Sequence, residues 1–283
     1  MRLRAIAIVA AIVGLLGGTS SAVASSGGQD SPGHYYLALG DSLAYGFQQA
    51  KFNAQVASGQ VHASAFNTGY VDDFAAMVRT VQDPLPTVNF GCPGETTASY
   101  FVGCAWHVVR GLPLHNTYSG SQEAAALAFL SRHRRQVGLI TLDNGANDIS
   151  ACLSSSDPAC IPKALAQAAT NLDRALGELR QAAPHAEIIV MQYYDPYAVA
   201  FPGSIPVILM LNQEIAAAAA AHGARLADAF APINLAPPQP ETLCRLTLFC
   251  TPLNDVHASD AGYAVIAQQF WAASSYSQQN QEN

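Results

Sequence analysis

Five short apolar runs, set apart by stretches of helical periodicity, constrain the fold of this chain more than any other feature of it. The runs fall at residues 35–39, 88–90, 137–142, 187–193 and, more weakly, 224–227. Their apolar residues are nearly continuous instead of alternating with polar ones, as in Ile188-Ile189-Val190-Met191. Strands with that pattern are buried on both faces, which happens when helices cover a parallel sheet on either side. The intervening segments supply the helices. Residues 70–81, 121–133, 162–182 and 209–222 carry apolar residues at helical spacing, the last followed by Gly223 as a stop. Ser259 can cap a final helix running to residue 273. The alternation predicts an α/β fold, a three-layer α/β/α sandwich around a five-stranded parallel sheet, with ligands gathered at the carboxyl ends of the strands.

The N-terminus has a different character. Arg2 and Arg4 precede an apolar stretch over residues 5–16, and Ala22-Val23-Ala24 follows with the small residues that a signal peptidase requires. The apolar core is shorter than the roughly 20 residues of a membrane span, so residues 1–24 read as a secretory signal and no permanent membrane anchor is expected. Cleavage there removes two arginines and no acid, turning the net charge of −7 into −9. Such a balance argues against nucleic acid or an anionic membrane as an electrostatic partner. Residues 25–273 read as one domain without repeat or linker, expected to be monomeric, and the polar stretch 274–283 as a disordered tail.

All six cysteines lie beyond the signal. In an exported protein an even number points to disulfides, and nearness in sequence suggests Cys92–Cys104, Cys152–Cys160 and Cys244–Cys250. Zinc is a poor alternative, since there is no C-x-x-C and no clustered Cys/His spacing. Residues 47–68, 99–120 and 196–207 exceed what simple connections need; loops of that length are either functional or decorated surface.

The chemistry concentrates where strands end. After the first run, Gly40-Asp41-Ser42-Leu43 places a serine at a strand terminus, with the following helix expected to direct its positive end toward it. Alone, these residues describe a turn as well as a nucleophile. The second run is followed by Gly91-Cys92-Pro93-Gly94-Glu95-Thr96 and the third by Asp143-Asn144-Gly145-Ala146-Asn147-Asp148. Asn254-Asp255-Val256-His257 comes after the fifth, shortly before the final helix. All four blocks can therefore converge on one edge of one sheet. No G-x-S-x-G elbow is present, which disfavours an ordinary α/β-hydrolase.

Together the four blocks resemble the GDSL, or SGNH, hydrolase family, named for a serine, a glycine, an asparagine and a histidine in ordered blocks. The resemblance spans Gly40 to His257 and implies a flavodoxin-like sheet and serine-based ester hydrolysis without metal or cofactor. It maps Ser42 onto the nucleophile and His257 onto the general base. The backbone amide of Ser42, with Gly94 and Asn147, maps onto the oxyanion hole. Asn144 competes locally with Asn147 for that part. The family usually carries an acid three positions before the histidine; here that position is Asn254, and Asp255 lies two before. Two arrangements stay open. Asp255 completes a triad, or a backbone carbonyl near Asn254 orients the ring in a Ser–His dyad, and the dyad is the preferred expectation. Asp41 and Asp148 are expected to brace loops, and the seven other histidines (His34, His62, His107, His115, His133, His185 and His222) read as surface or structural.

The function implied by the resemblance is a secreted carboxylic-ester hydrolase, esterase or lipase, acting on a small-molecule or lipid ester. The same residues would serve a carbohydrate O-deacetylase or an acyltransferase. A catalytically silent surface-binding protein would keep the scaffold without needing all four. The apolar stretch 204–211 either lines an acyl pocket or begins a core helix, and the core helix is the preferred expectation.

Overall fold

The computed structural model describes residues 35–152 and 155–279. The signal-peptide reading of 1–24, and His34, lie outside them. Strand β1 (Tyr35–Gly40) leads through a single helical turn, α1 (Ser42–Tyr45), to α2 (Gln49–Ala57), α3 (Tyr70–Arg79) and β2 (Thr87–Asn89). Next come α4 (Ala105–Arg110), α5 (Gln122–Arg132), β3 (Val137–Asp143), α6 (Ala146–Ser150), the long α7 (Cys160–Ala182) and β4 (Glu187–Gln192). They are followed by α8 (Ile205–Ala221), β5 (Arg225–Asp228), α9 (Glu241–Leu246), α10 (Asp260–Ala273) and α11 (Tyr276–Gln279).

The strands run parallel in the order β2-β1-β3-β4-β5. This is the flavodoxin-like order: the chain steps outward from β1 to β2 and then returns across β1 to β3. The connections leaving β1 and β3 diverge, so a crevice opens beside Gly40 and Asp143, the last residues of these strands and partners in register. Helices α3 and α10 pack on each other, and α7 packs on both α5 and α8. The strands between them are buried on both faces, as Tyr36 to Leu39 of β1 and Ile188 to Met191 of β4 show. The continuous apolar runs have this burial as their physical cause.

Helix starts follow local chemistry. Ser121 caps α5 by accepting from the Ala124 amide, and Ser259 caps α10 by accepting from Gly262. Helix α8 begins a turn before its expected start, with Pro206 in its first turn, where a missing N–H costs nothing. Residues 202–221 are long and apolar enough to cross a membrane by those two criteria alone. Here Leu211, Ile215, Ala218 and Ala219 of that stretch are buried in the core, while Leu209 and Met210 are exposed. Helix α2 fills part of the long segment 47–68 and buries none of its residues, so no apolar period announces it.

The disordered tail expected over 274–283 is corrected as far as residue 279. Ser274 and Tyr276 are buried, and Ser275 donates to the Glu187 carboxylate from its amide and, at 2.8 Å, from its hydroxyl. A polar composition does not reveal such a tether, because it depends on an acid at the start of β4, far away in sequence.

The cysteines pair as Cys92–Cys104, Cys152–Cys160 and Cys244–Cys250, with Cα–Cα separations of 5.8, 5.6 and 5.2 Å. Each closes a short loop at the carboxyl edge of the sheet.

Ile140, fully buried on β3 between β1 and β4, tests the packing. Ile140→Ala should lose about 2–5 kcal/mol in denaturant unfolding. A loss below about 1 kcal/mol would place that side chain outside a tightly packed core.

Candidate active site

Ser42 owes its position to the crowding of the two strand ends. A Cβ on Gly40 would lie 2.2 Å from the Asp143 carbonyl oxygen, and the backbone there has φ +139°, so only glycine fits. Asp41 follows and caps α1, its Oδ1 accepting from the Leu43 amide at 2.8 Å. The helix expected after Ser42 is thus one turn long. Because Ser42 is the first residue of that turn, its amide has no intrahelical acceptor.

His257 reaches Ser42 from the loop before α10, its Nε2 standing 2.9 Å from Ser42 Oγ. Asp255 Oδ1 lies 2.5 Å from His257 Nδ1. The preferred dyad expectation is therefore corrected, for a carboxylate and not a backbone carbonyl holds Nδ1. The physical reason lies at Asn254, which has φ +45°, a left-handed conformation that asparagine enters more readily than most residues. The chain turns there, immediately before Asp255. Asp255 Oδ2 also accepts from the Gln49 amide at 2.8 Å, at the start of α2. The loop is pinned on either side of His257: Tyr194 donates to the Val256 carbonyl at 2.8 Å and Gln48 to that of Ala258 at 3.0 Å. Phe47 packs against the imidazole at 4.9 Å between centroids.

Burial pushes the Asp255 carboxyl up, but the hydrogen bond and charge of His257, with the Gln49 amide, outweigh it and leave the group below the usual aspartate range. Asp255 thus stands ionised beside the ring. The opposite holds beneath Ser42. Asp143 is fully buried near Asp41, and burial and then that neighbouring charge drive its carboxyl well up, disfavouring its charged form. Tyr70 donates to Asp143 and Tyr193 to Asp41, each at 2.7 Å.

Asn147, in the first turn of α6, lines the same cavity as Ser42 and His257. Its Nδ2 donates to the Glu95 carbonyl at 2.9 Å and contacts Asp41 Oδ2 at 3.4 Å. Asn144 is buried and directed at the Thr96 carbonyl, 3.4 Å away, and does not line the cavity. Gly94 occupies the third position of a turn closed by the Glu95 amide on the Cys92 carbonyl at 3.1 Å. Pro93 precedes it, and its φ of +76° is what a type II turn requires of that position. A Cβ there would meet the Trp106 indole nitrogen at 2.8 Å. Gly94 is outside the cavity lining; its turn is joined to the site by the Cys92 amide, which donates to the Gly40 carbonyl at 3.0 Å, and by Glu95. Asp148 accepts from the Thr97 amide at 2.8 Å and hydroxyl at 2.7 Å, bracing that loop as expected.

The cavity holds about 170 Å³ and opens beside Ser42. Ile149, Ile161, Val207, Ile208, Tyr194 and Tyr197 are among the residues that line it. Residues 204–211 therefore take both expected parts: Val207 and Ile208 face the cavity while Leu211 is in the core.

Four residues here carried no sequence expectation: Tyr193, Tyr194, Glu95 and Gln122. Tyr193 and Tyr194 lie just past the carboxyl end of β4, the one signal available for them. Among the other histidines, His115 bonds the Tyr45 carbonyl at 2.9 Å and His222 meets Asp173 at 2.8 Å, and neither lines the cavity.

A serine hydroxyl, an imidazole and an ionised carboxylate in line at the switch point of a parallel sheet define a serine-hydrolase-like protein. The sequence profile of the GDSL-like lipase/acylhydrolase family matches residues 38–265, and the chain belongs to that family. No curated protein sequence matches it. Among solved structures it is similar to the acetylxylan esterase Axe2 of Geobacillus stearothermophilus, with 17% identity over 86% of this chain and 94% of that one and a TM-score of 0.56. It is also similar to the lipase Lip_vut3 from a goat rumen metagenome, with 15% identity over 84% and 96% and a TM-score of 0.56. A putative GDSL-like lipase of Parabacteroides merdae gives 14% identity over 86% and 95% and a TM-score of 0.57. At these identities the likeness shows a shared fold.

Glu95 offers a pH test. Burial pushes its carboxyl up to about 7 from an ordinary value of 4.5. The folded chain keeps a proton that the unfolded chain has lost, so this group subtracts stability as pH rises through that window. Glu95→Gln should therefore gain on the parent protein between pH 5 and pH 8, by up to about 3 kcal/mol. Unfolding at the two pH values checks it, and a pH-independent difference would contradict the raised carboxyl.

Proposed function

We propose that this protein is an exported carboxylic-ester hydrolase in which Ser42, His257 and Asp255 act as a triad. The observation that carries the reading is the line Ser42 Oγ–His257 Nε2–His257 Nδ1–Asp255, at the mouth of an apolar cavity. As Ser42 Oγ bonds the acyl carbon, its proton passes to His257 Nε2 and the carbonyl oxygen takes up the negative charge. Asp255 holds the ring by Nδ1–H and stabilises the imidazolium. The oxyanion accepts from the Ser42 amide, the Gly94 amide and Asn147. Asn147 has two amide hydrogens; the Glu95 carbonyl takes one at 2.9 Å, and the other, held by Asp41 Oδ2 only at 3.4 Å, is the one the oxyanion would take over. The departing alcohol takes the proton from Nε2 as its bond to carbon breaks. Water then repeats the sequence and frees the acid.

The cavity supports an apolar acyl group of moderate size. Its volume of about 170 Å³ compares with cavities of roughly 150 Å³ that admit a benzene ring. An acetyl group would leave most of it empty, so aliphatic or aryl acyl esters suit it better than acetylated carbohydrate. Export rests on residues 1–24, with the three disulfides consistent with an oxidising compartment.

Ser42→Ala and His257→Ala should each lower p-nitrophenyl ester turnover by on the order of 10⁴–10⁶-fold with the fold intact. Asp255→Asn should lose about 10⁴-fold, as the same change does in a serine protease triad. A loss under tenfold in folded Asp255→Asn would return the site to a dyad.

Acyl chain length gives a separate check. Turnover per KM should rise from acetyl to butyryl or hexanoyl esters and fall for palmitoyl, and Val207→Phe should move the optimum back toward acetyl. A flat profile, or one that Val207→Phe leaves unmoved, would remove the cavity from substrate selection.

A further inference from the structure

One side chain outside the four blocks ties two of them together. Gln122, the first residue of α5, is fully buried. Its carboxamide bonds the backbone of Gly40 twice, accepting from the Gly40 amide at 2.6 Å and donating to the Gly40 carbonyl at 2.9 Å. Strand β2 stops pairing with β1 at Ala38, opposite Asn89; the Cys92 amide beyond it still donates to the Gly40 carbonyl at 3.0 Å, and Gln122 Oε1 takes the Gly40 amide that a continuing strand would have met with a carbonyl. Gln122 Nε2 also donates to Glu95 Oε2 at 3.2 Å. Ser99 Oγ donates to the other oxygen of Glu95.

Glu95 passes the connection on through its own backbone. Its amide closes the turn that holds Gly94, and its carbonyl accepts from Asn147 at 2.9 Å. Gln122 and Glu95 thus form a buried side-chain link from Gly94 and Asn147 to the end of β1, beside the direct bonds of the Cys92 amide to the Gly40 carbonyl at 3.0 Å and of Asn147 to Asp41 at 3.4 Å. Neither Gln122 nor Glu95 lines the cavity, so neither touches a substrate held there.

We infer that Gln122 and Glu95 are positioning residues, which hold the Gly94 and Asn147 donors in register with Ser42 and so govern the turnover step. The inference rests on the hydrolase reading of Ser42. Oxyanion donors act on charge that develops only in the transition state, so loosening them lowers kcat and leaves ground-state binding nearly unchanged.

The chemistry of Glu95 fits the part. Among the described residues no cation pairs with it; Asp41 at the end of β1 and the phenols of Tyr100 and Tyr118 are the titratable groups that interact with it. Gln122 Nε2 can only donate, so a proton on Glu95 must sit on the oxygen facing Ser99, whose hydroxyl can turn to accept it. The bond to Gln122 survives either state. A glutamine at 95 can reproduce the neutral form, with its oxygen toward Gln122 and its amide toward Ser99.

Steady-state kinetics on p-nitrophenyl butyrate test the inference in Gln122→Leu, Glu95→Ala and Glu95→Gln, each checked for folding by thermal unfolding. Gln122→Leu and Glu95→Ala should lower kcat at least about tenfold with KM within about threefold, and Glu95→Gln should recover most of what Glu95→Ala loses. If Gln122→Leu does not fold, the Glu95 pair carries the decision. A folded variant with kcat within about twofold of the parent, a KM that moves by the same factor as kcat, or a Glu95→Gln as damaged as Glu95→Ala would overturn it. A parent protein without ester turnover would instead sink the hydrolase reading. In that event the ¹⁵N resonances of the Gly94 amide and Asn147 side chain still decide: they shift in Gln122→Leu if the connection exists and stay in place if it does not.

Discussion

The carboxyl end of β1 is pressed so closely against that of β3 that residue 40 has no room for a side chain. Most of the candidate site follows from this contact. It delivers Ser42 to the place where the strand order reverses, between connections that diverge from β1 and β3. It also forces Asp41 and Asp143 into one buried space beneath Ser42, where they cannot both be charged. Asp41 spends its oxygens on the Leu43 amide and the Tyr193 hydroxyl, and Asp143 on the Tyr70 hydroxyl and the Ala44 amide. Strand ends, helix start and the end of β4 are therefore locked into one network under the serine.

The loops above the sheet have little core of their own, and the three disulfides stand in for one. Cys92–Cys104 closes the loop carrying Gly94, Cys152–Cys160 joins the segment after α6 to α7, and Cys244–Cys250 secures the approach to Asp255 and His257. Around the first pair a small cluster forms from Tyr45, Phe47, Phe66, Leu112 and Leu114, with Trp106 packed against it. Phe47 links that cluster to His257, so the aromatic packing that supports the 92–104 loop also supports the imidazole.

The strands were legible because burial on both faces demands continuous apolar residues, and each observed strand begins and ends within one residue of its run. Ser42, His257 and Asn147 were legible for a related reason, since the end of a parallel strand is where a doubly wound fold displays its side chains. Short elements were not. Helix α2 buries nothing, and α4 and α6 are too brief to set up a period. The role of Asp255 depends on the positive φ of Asn254 and on the Gln49 amide, neither of which an Asp-x-His spacing specifies. Gln122 was least visible of all. A glutamine at the first position of a helix is ordinarily a solvated residue, and nothing near it in sequence signals the Gly40 and Glu95 it meets.

In the proposed triad His257, polarised by Asp255, makes Ser42 uniquely nucleophilic. An alkyl phosphonofluoridate reads this directly, because Ser42 Oγ would bond to phosphorus as fluoride leaves. Mass spectrometry of the labelled and digested protein should find one adduct, on the peptide containing Ser42, and none after the same treatment of His257→Ala. An adduct on another residue, or equal labelling of Ser42 without His257, would contradict the account.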